Sequence, residues 1–422
     1  MVQASESARP AAVTAHSGVP ALTTIRQGIA QALDENAHRL LDVSRQIHAH
    51  PQLAFAETFA ADLLARELAT AGFTVETGVY DVPTALEATY GSGDFRVVVC
   101  AEYDALPEIG HACGHNVIAA IALGTALALR DVADSLGLQV VLLGTPAEEH
   151  GGGKCLLLAR GAFEGATMAT MVHGYFGERE ISAANVHMQC VDRFEVHFTG
   201  REAHAAASPH EALNAGDAAT IAQVAVGLLR QQLRDGTRVS VITRLGGTVT
   251  NVVPGHSTLA VEVRANDVAE LQSMRPRVLA CMEGAAIATG CRWSDQQTEP
   301  NYHCVATDLT LAEIWDANVS LAGRVIDPAR SMNGGSTDMG NVSQVVPSLH
   351  AMLTIRGATS PPHSPEFADA AVGPGADEAV LEGALIQAWT IADAAANPGV
   401  RSMLLQRTAD RPAGATMISA DR

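Results

Sequence analysis

Sixteen residues, 101–116 (AEYDALPEIGHACGHN), carry Glu102, Asp104, Glu108, His111, Cys113 and His115, the densest set of metal-ligating side-chain types in the chain. A single glycine separates Cys113 from His115. It leaves the backbone free to bend so that thiolate and imidazole can converge on one ion, a metal-site pattern. A lone cysteine or histidine is more often packed or solvated than ligating, so what counts is the cluster and what joins it from elsewhere. Three other stretches deliver the same residue types: Glu148 and Glu149 before a run of three glycines, His173 before Gly174, and His363 among Pro361, Pro362 and Pro365. Those prolines fix the backbone around His363 and prevent a helix there.

Cys113, His115, Glu149, His173 and His363 are five candidate ligands with sulfur, nitrogen and oxygen donors. That is more than one tetrahedral ion can use, and two divalent ions sharing a bridging ligand would use them all, with positions left for water and substrate. The mixed donors suit zinc, and imidazole and carboxylate also admit manganese or cobalt. Adjacent side chains on a bent or extended backbone point apart, so only one of Glu148 and Glu149 can ligate. Glu149 is assigned to metal. Glu148 is assigned as the general base, taking a proton from the attacking water and passing it to the leaving amine. Asp104 is expected to hold a ligand histidine in one tautomer. His111 and His150 are read as loop residues.

These groups need elements that present them together. Apolar runs at 96–100, 138–143, 168–172 and 349–355 read as buried strands, each leading into one of the four ligand-bearing stretches. Open α/β sheets collect ligands past the carboxyl ends of their strands. Helical spacing covers 27–50, 57–71, 117–129, 308–322 and 376–396. Between 189 and 299 the rhythm changes. Phe194, Val196 and Phe198 alternate with polar residues, a helix over 211–230 places Ile221, Val224 and Leu228 on one face, and two alternating runs follow. A further helix contains Pro276, which predicts a kink or a late start, and a last strand falls near 291–293. Strand, helix, two strands, helix, strand is a self-contained α+β unit inserted in the larger α/β one. The expected organisation is a lead-in without order over 1–24, a discontinuous metal-binding domain over 25–188 and 300–406, the inserted domain over 189–299, and a flexible tail over 407–422.

Composition bounds the partners. With 27 Lys plus Arg against 46 Asp plus Glu, the net charge of −19 argues against nucleic acid or an anionic membrane surface. The seven cysteines are scattered, odd in number and lack a disulfide-framework spacing, as expected in a reducing compartment, the cytoplasm. No apolar run reaches the roughly 18 to 20 residues of a membrane span, and the N-terminus has no signal-peptide layout. A serine hydrolase is excluded by the lack of a G-x-S-x-G elbow.

The segments IHAHPQLAFAET, EYDALPEIGHACGHN, GTPAEEHGGGK, GREAHAAASPHEALNAGDAA, NVVPG and HSPEF, in this order over residues 27–400, resemble the M20 metallopeptidases, which include aminoacylases and carboxypeptidase G-like enzymes. EYDALP, HACGHN and GGSTDMGNVS resemble most the amidohydrolase branch that contains aminobenzoyl-glutamate hydrolase-like proteins and basic-residue dipeptidases. The resemblance implies an aminopeptidase-like α/β/α catalytic domain with two metals, and a lid of four antiparallel strands and two helices that also dimerises. It implies that Cys113 bridges the metals, that His204 donates to the oxyanion, and that Asn251 and Arg264 hold a substrate carboxylate. Two positions depart from the family pattern: Glu102 stands where many relatives place a ligand histidine, and Gln52 replaces a usual glutamate. The expected activity is hydrolysis of the amide bond in an N-acyl or aminoacyl amino acid. A dipeptidase proper and a non-catalytic metal-bound protein of the same fold are the alternatives.

Overall fold

The structure, a computed structural model, describes residues 22–412 and 414–415. In chain order, α1 (Leu22–Ala49) and α2 (Thr58–Thr70) precede β1 (Thr74–Thr77), β2 (Leu86–Tyr90) and β3 (Phe95–Ala101). Next come α3 (His115–Arg130), α4 (Ala133–Leu136), β4 (Leu138–Gly144), α5 (Gly153–Ala159), β5 (Met168–Tyr175) and the two-residue β6 (Val186–His187). The inserted stretch contributes β7 (Cys190–Thr199), α6 (Ala215–Leu229), β8 (Arg238–Leu245), β9 (His256–Ala265), α7 (Val268–Thr289) and β10 (Arg292–Gln297). The chain returns through α8 (Leu309–Leu321), β11 (Met332–Asn333), α9 (Met339–Ser343) and β12 (Ser348–Thr354), then α10 (Pro365–Ala370), α11 (Pro374–Ala396) and α12 (Pro398–Ala409).

Six strands form the main sheet in the order β1-β2-β4-β3-β5-β12. β4, β3, β5 and β12 run parallel, so their carboxyl ends share one edge: Ala101 lies opposite Gly144, and Met352 opposite His173. The apolar runs of these strands are buried on both faces. Val97, Val99, Val140 and Leu142 pack under α1, α3 and α11, while Val98, Cys100, Val141 and Leu143 face the layer containing α5 and α9. Parallel strands covered on both sides must be apolar throughout, hence the unbroken runs. This is an α/β/α sandwich.

The inserted segment builds a separate antiparallel sheet, β10-β7-β9-β8. Phe194, Val196, Phe198, Leu259, Val261 and Val263 turn one face towards α6 and α7, and the intervening residues are half-buried on the other.

The structure differs from expectation at several points. Residues 22–24 already belong to α1, and the remaining lead-in, 1–21, lies outside the described residues. At the other end α12 continues through Arg407 to Ala409, with Arg407 Nη1 donating to Asp308 at 2.5 Å, and the expected tail at 413 and 416–422 lies outside the described residues. Strand β5 runs past His173 to Tyr175, placing His173 within the strand. α7 starts at Val268, capped by Asp267, and runs through Pro276. Pro276 and Gln272, whose carbonyl loses its helical partner to the proline, both face solvent, where water can replace the bond. α6 buries Ala215, Ala218, Ala219, Ala222 and Val226 and leaves Ile221, Val224 and Leu228 exposed, because small alanines let the helix lie close on the sheet. Finally, Cys190 and Cys304, 114 positions apart, form a disulfide where the chain enters and leaves the inserted unit; the other five cysteines are free.

Candidate metal centre

Local backbone chemistry sets each ligand. Gly114 adopts a left-handed φ of 76° as the N-cap of α3, turning the chain so that Cys113 ends the loop and His115 begins the helix. His363 also has positive φ, 67°, a strained conformation that persists only where surroundings enforce it. Its backbone N–H donates to Ala112 O at 2.8 Å, joining its loop to that of Cys113. At Gly153 a Cβ would fall 1.7 Å from Pro146 O, so the loop bearing Glu148 and Glu149 can fold back only over a glycine.

The five candidate ligands come together as two triplets. Ligand atoms of Cys113, His115 and His173 lie within 4.8 Å of one another, and so do those of Cys113, Glu149 and His363. Cys113 belongs to both. Asp104 Oδ1 accepts from His115 Nδ1 at 3.0 Å, and Gly174 O accepts from His173 Nδ1 at 2.6 Å. Both rings therefore offer the Nε2 lone pair to the centre. His115 Nε2 is buried without a hydrogen-bond partner, and Glu149 Oε1, equally buried, has only His363 Nε2 beside it, an ion-pair contact at 3.2 Å. Orphaned buried polar atoms are costly and call for an unrecorded partner, and a cation fits this donor set of thiolate, imidazole and carboxylate.

Asp104 braces the centre twice, since its Oδ2 also accepts from the Glu149 backbone N–H at 2.9 Å. Burial pushes its pKa up, but His115 and that backbone donor outweigh burial and hold it below the usual range. Glu148 is buried and lines the same cavity of about 390 Å³ as Cys113, Glu149, His173 and His363. Burial first, then Glu102 and Glu149, push its carboxyl well above the ordinary carboxylate range, and cations held beside it would bring it back down towards the carboxylate form that a base needs.

Several supporting residues escaped the sequence reading. Lys154 is fully buried with Nζ 2.5 Å from both Glu102 and Asp338. Burial opposes its charge, yet Asp338 and Glu102 outweigh that and keep the amine protonated. Glu102, at the departure from the family pattern, is thus held by a lysine, with Oε2 3.6 Å from His115 Nε2. Glu57 accepts from the Ala147 backbone N–H and from Thr84 Oγ1, and Tyr302 Oη donates to Glu148 O at 2.9 Å; together they fix the loop on both sides of the Glu148 side chain. The motif around Glu57 was visible, but a buried glutamate that ties down a loop ninety positions away leaves no periodic signal. Gln52, the other departure, receives the Phe59 N–H at the start of α2. His111 is a loop residue, but a buried one, and burial lowers its pKa to about 3. His150 is exposed beside Glu299.

The inserted sheet contributes Arg264, which lines the cavity, with Nε donating to Glu262 at 2.7 Å and Nη1 to Ser336 Oγ at 3.4 Å. His204 and Asn251 are not brought to the cavity of their own chain. They sit together on neighbouring strips of backbone, the Ala205 N–H donating to Asn251 O at 2.9 Å. His204 is exposed, and its Nδ1 accepts from Ala206 and Ala207 N–H, which places its proton on Nε2.

Residues 98–380 match the model of peptidase family M20/M25/M40. The chain belongs to that family. It is 35% identical to the Xaa-Arg dipeptidase of Mus musculus over 91% of this chain and 92% of the relative. It is 34% identical to the Xaa-Arg dipeptidase of Homo sapiens over 92% of this chain and 93% of the relative. A p-aminobenzoyl-glutamate hydrolase polypeptide of Escherichia coli K12 is 32% identical over 62% of this chain and 58% of its own length. Among solved structures, the aminobenzoyl-glutamate utilization protein of Klebsiella pneumoniae superposes with a TM-score of 0.65 at 21% identity, covering 86% of this chain and 97% of that one. The YXEP protein of Bacillus subtilis, described as a dinuclear metal-binding peptidase, gives 0.60 at 22% identity, covering 83% and 98%. As a member of this family the protein is a metal-dependent hydrolase of amide bonds. No helix among the described residues is long and apolar enough to cross a membrane.

Proposed function

We propose that this M20 enzyme hydrolyses the amide bond of an N-acyl or aminoacyl amino acid that has a free carboxylate. The observation that carries the reading is the sharing of Cys113 between two ligand triplets, with Glu148 and Arg264 facing the same cavity. Cys113, His115 and His173 would hold one divalent ion, and Cys113, Glu149 and His363 the other; zinc suits the donors best, with manganese or cobalt as alternatives. Cations so held would supply a nucleophile at neutral pH, by bringing the pKa of a bound water down to about 7. Glu148 takes the proton of the attacking water and returns it to the departing nitrogen. Arg264 orients the substrate by a charge-assisted bond to its carboxylate. Dipeptides are substrates of the same site when the acyl group is itself an amino acid, and the identity to Xaa-Arg dipeptidases favours that form.

His204 and Asn251 act in this reading across a twofold homodimer. Strand β8 is the outer strand of the inserted sheet, and Val224 (60% exposed) and Leu228 (71%) continue an apolar surface over α6. An unpaired edge beside exposed apolar residues suits pairing with a second copy. His204 Nε2–H would then donate to the developing oxyanion of the partner's substrate, and Asn251 would contact its carboxylate. A cytoplasmic location fits the five free thiols, whereas the Cys190–Cys304 bridge counts the other way; titrating free thiols in protein trapped directly from cells decides between them.

Release of free amine from a panel of N-acyl amino acids and dipeptides tests the reaction. Activity should vanish with chelator, return with zinc, manganese or cobalt, and fall steeply when the substrate carboxylate is amidated. Equal kcat/KM for acid and amide forms would remove Arg264 from its assigned role.

A further inference from the structure

The cavity has one wall that the proposed reaction does not use. Tyr175, Met188, Met332 and Met352 line it and form one apolar cluster with Ile181 and Val186. The fold places this wall directly beside the metal centre: Met352 lies opposite His173 in the β12–β5 register, and Tyr175, two residues along β5, shares the face of His173. It also lies on the carboxylate side of the cavity. Ser336, the hydrogen-bond partner of Arg264, belongs to the short loop that follows β11, and Met332 of β11 pairs with Val186 just ahead of Met188.

The charges around the cavity run one way. Its lining carboxylates are Glu148 and Glu149, both taken by the assigned chemistry, and its lining cations are Arg193 and Arg264. Glu262, the acid between those two arginines, is bonded to both. His350, which also lines the cavity, is fully buried with both ring nitrogens unpartnered, and an imidazole brings no negative charge. A basic side chain seated here would face thioethers and arginines with no free carboxylate, and an unpaired buried charge is strongly disfavoured. Methionine walls adapt their shape to aliphatic and aromatic groups alike.

Taking the cavity as the hydrolytic site proposed above, we infer that the amino acid released from the carboxylate side carries an apolar side chain, such as that of leucine, methionine or phenylalanine, seated on Tyr175, Met188, Met332 and Met352. In this the chain parts from the preference that the name of its Xaa-Arg relatives describes.

The test holds the acyl group constant and varies the carboxylate-bearing residue among leucine, methionine, phenylalanine, glutamate, lysine and arginine, using the full-length metal-loaded protein. Apolar residues should exceed lysine and arginine in kcat/KM by about 100-fold, the scale on which a site rejects a mismatched group. Met332→Glu, at a half-buried position, should narrow or reverse that ratio, with an unchanged urea midpoint showing that the variant folds. Lysine or arginine substrates matching the apolar ones in the unsubstituted enzyme would overturn the inference. Calorimetric binding of the same compounds to Glu148→Gln protein separates the two claims. Preferential binding of apolar compounds without turnover by the unsubstituted enzyme would sink the reaction and uphold the wall; turnover without preference would do the reverse.

Discussion

Glu148 and Glu149 are neighbours in sequence with different surroundings in the fold. Glu149 has its backbone N–H on Asp104 and its Oε1 3.2 Å from His363 Nε2, whereas Glu148 belongs to neither of the triplets that share Cys113 and groups instead with Glu102 and His115, of which Glu102 is held by Lys154. Replacing Glu148 by Gln should therefore leave metal content near two ions per chain and lower kcat by about 10²- to 10⁴-fold. Glu149→Gln should lose metal as well as activity. Elemental analysis beside kinetics reads both, and metal loss in the Glu148 variant with retention in the other would reverse the two roles. The five candidate ligands, which the structure brings into two triplets, stood out in the sequence because apolar runs lead into the stretches that carry them. Lys154, Glu57 and Tyr302 did not. Their work is to brace backbone and carboxylates across long sequence separations, and a lysine after three glycines gives no sign that it will be fully buried.

At the level of elements, strands and helices followed the apolar period closely, since a parallel strand buried on two faces and a helix buried on one have distinct patterns. What misled was residue size. The larger apolar residues of α6 point outward and its alanines inward, so the expected packing face is instead the one offered for dimerisation. Between β10 and the loop after β4 stands Glu299, which the sequence did not single out. It accepts from Arg193 at 2.6 Å and from the Gly151 backbone N–H at 2.9 Å. Burial opposes its ionisation, but His150, Arg193 and that backbone donor prevail and bring its pKa from 4.5 to about 2. Because the folded-state pKa is depressed, the stability it contributes is present above pH 4.5 and fades as pH falls towards 2. Glu299→Gln should cost about 1 to 3 kcal/mol at pH 7 and progressively less below pH 4.5, read as urea midpoints of both proteins across that range. A difference independent of pH would mean that the ion pair is not what ties the inserted sheet to the loop.

For the whole molecule, a second, antiparallel sheet begins where the rhythm changes near residue 189, yet nothing in one chain's pattern says where a second chain sits. Subunit exchange supplies that information. If the proposed dimer forms, mixing inactive His204→Ala and Glu148→Gln proteins should restore activity towards about a quarter of the unsubstituted level, because about half the dimers would be hybrids with one intact composite site. No recovery despite exchange, followed by mass spectrometry of labelled subunits, would confine His204 to its own chain. The covalent plan has its own outcome. Cys190 and Cys304 stand at the doorway of the inserted unit with their Cα atoms 4.4 Å apart, so everything between them is a closed ring hanging from the catalytic unit. A protease that nicks any exposed turn of that ring opens it without parting the molecule, and the severed halves travel as one species until a reductant frees them.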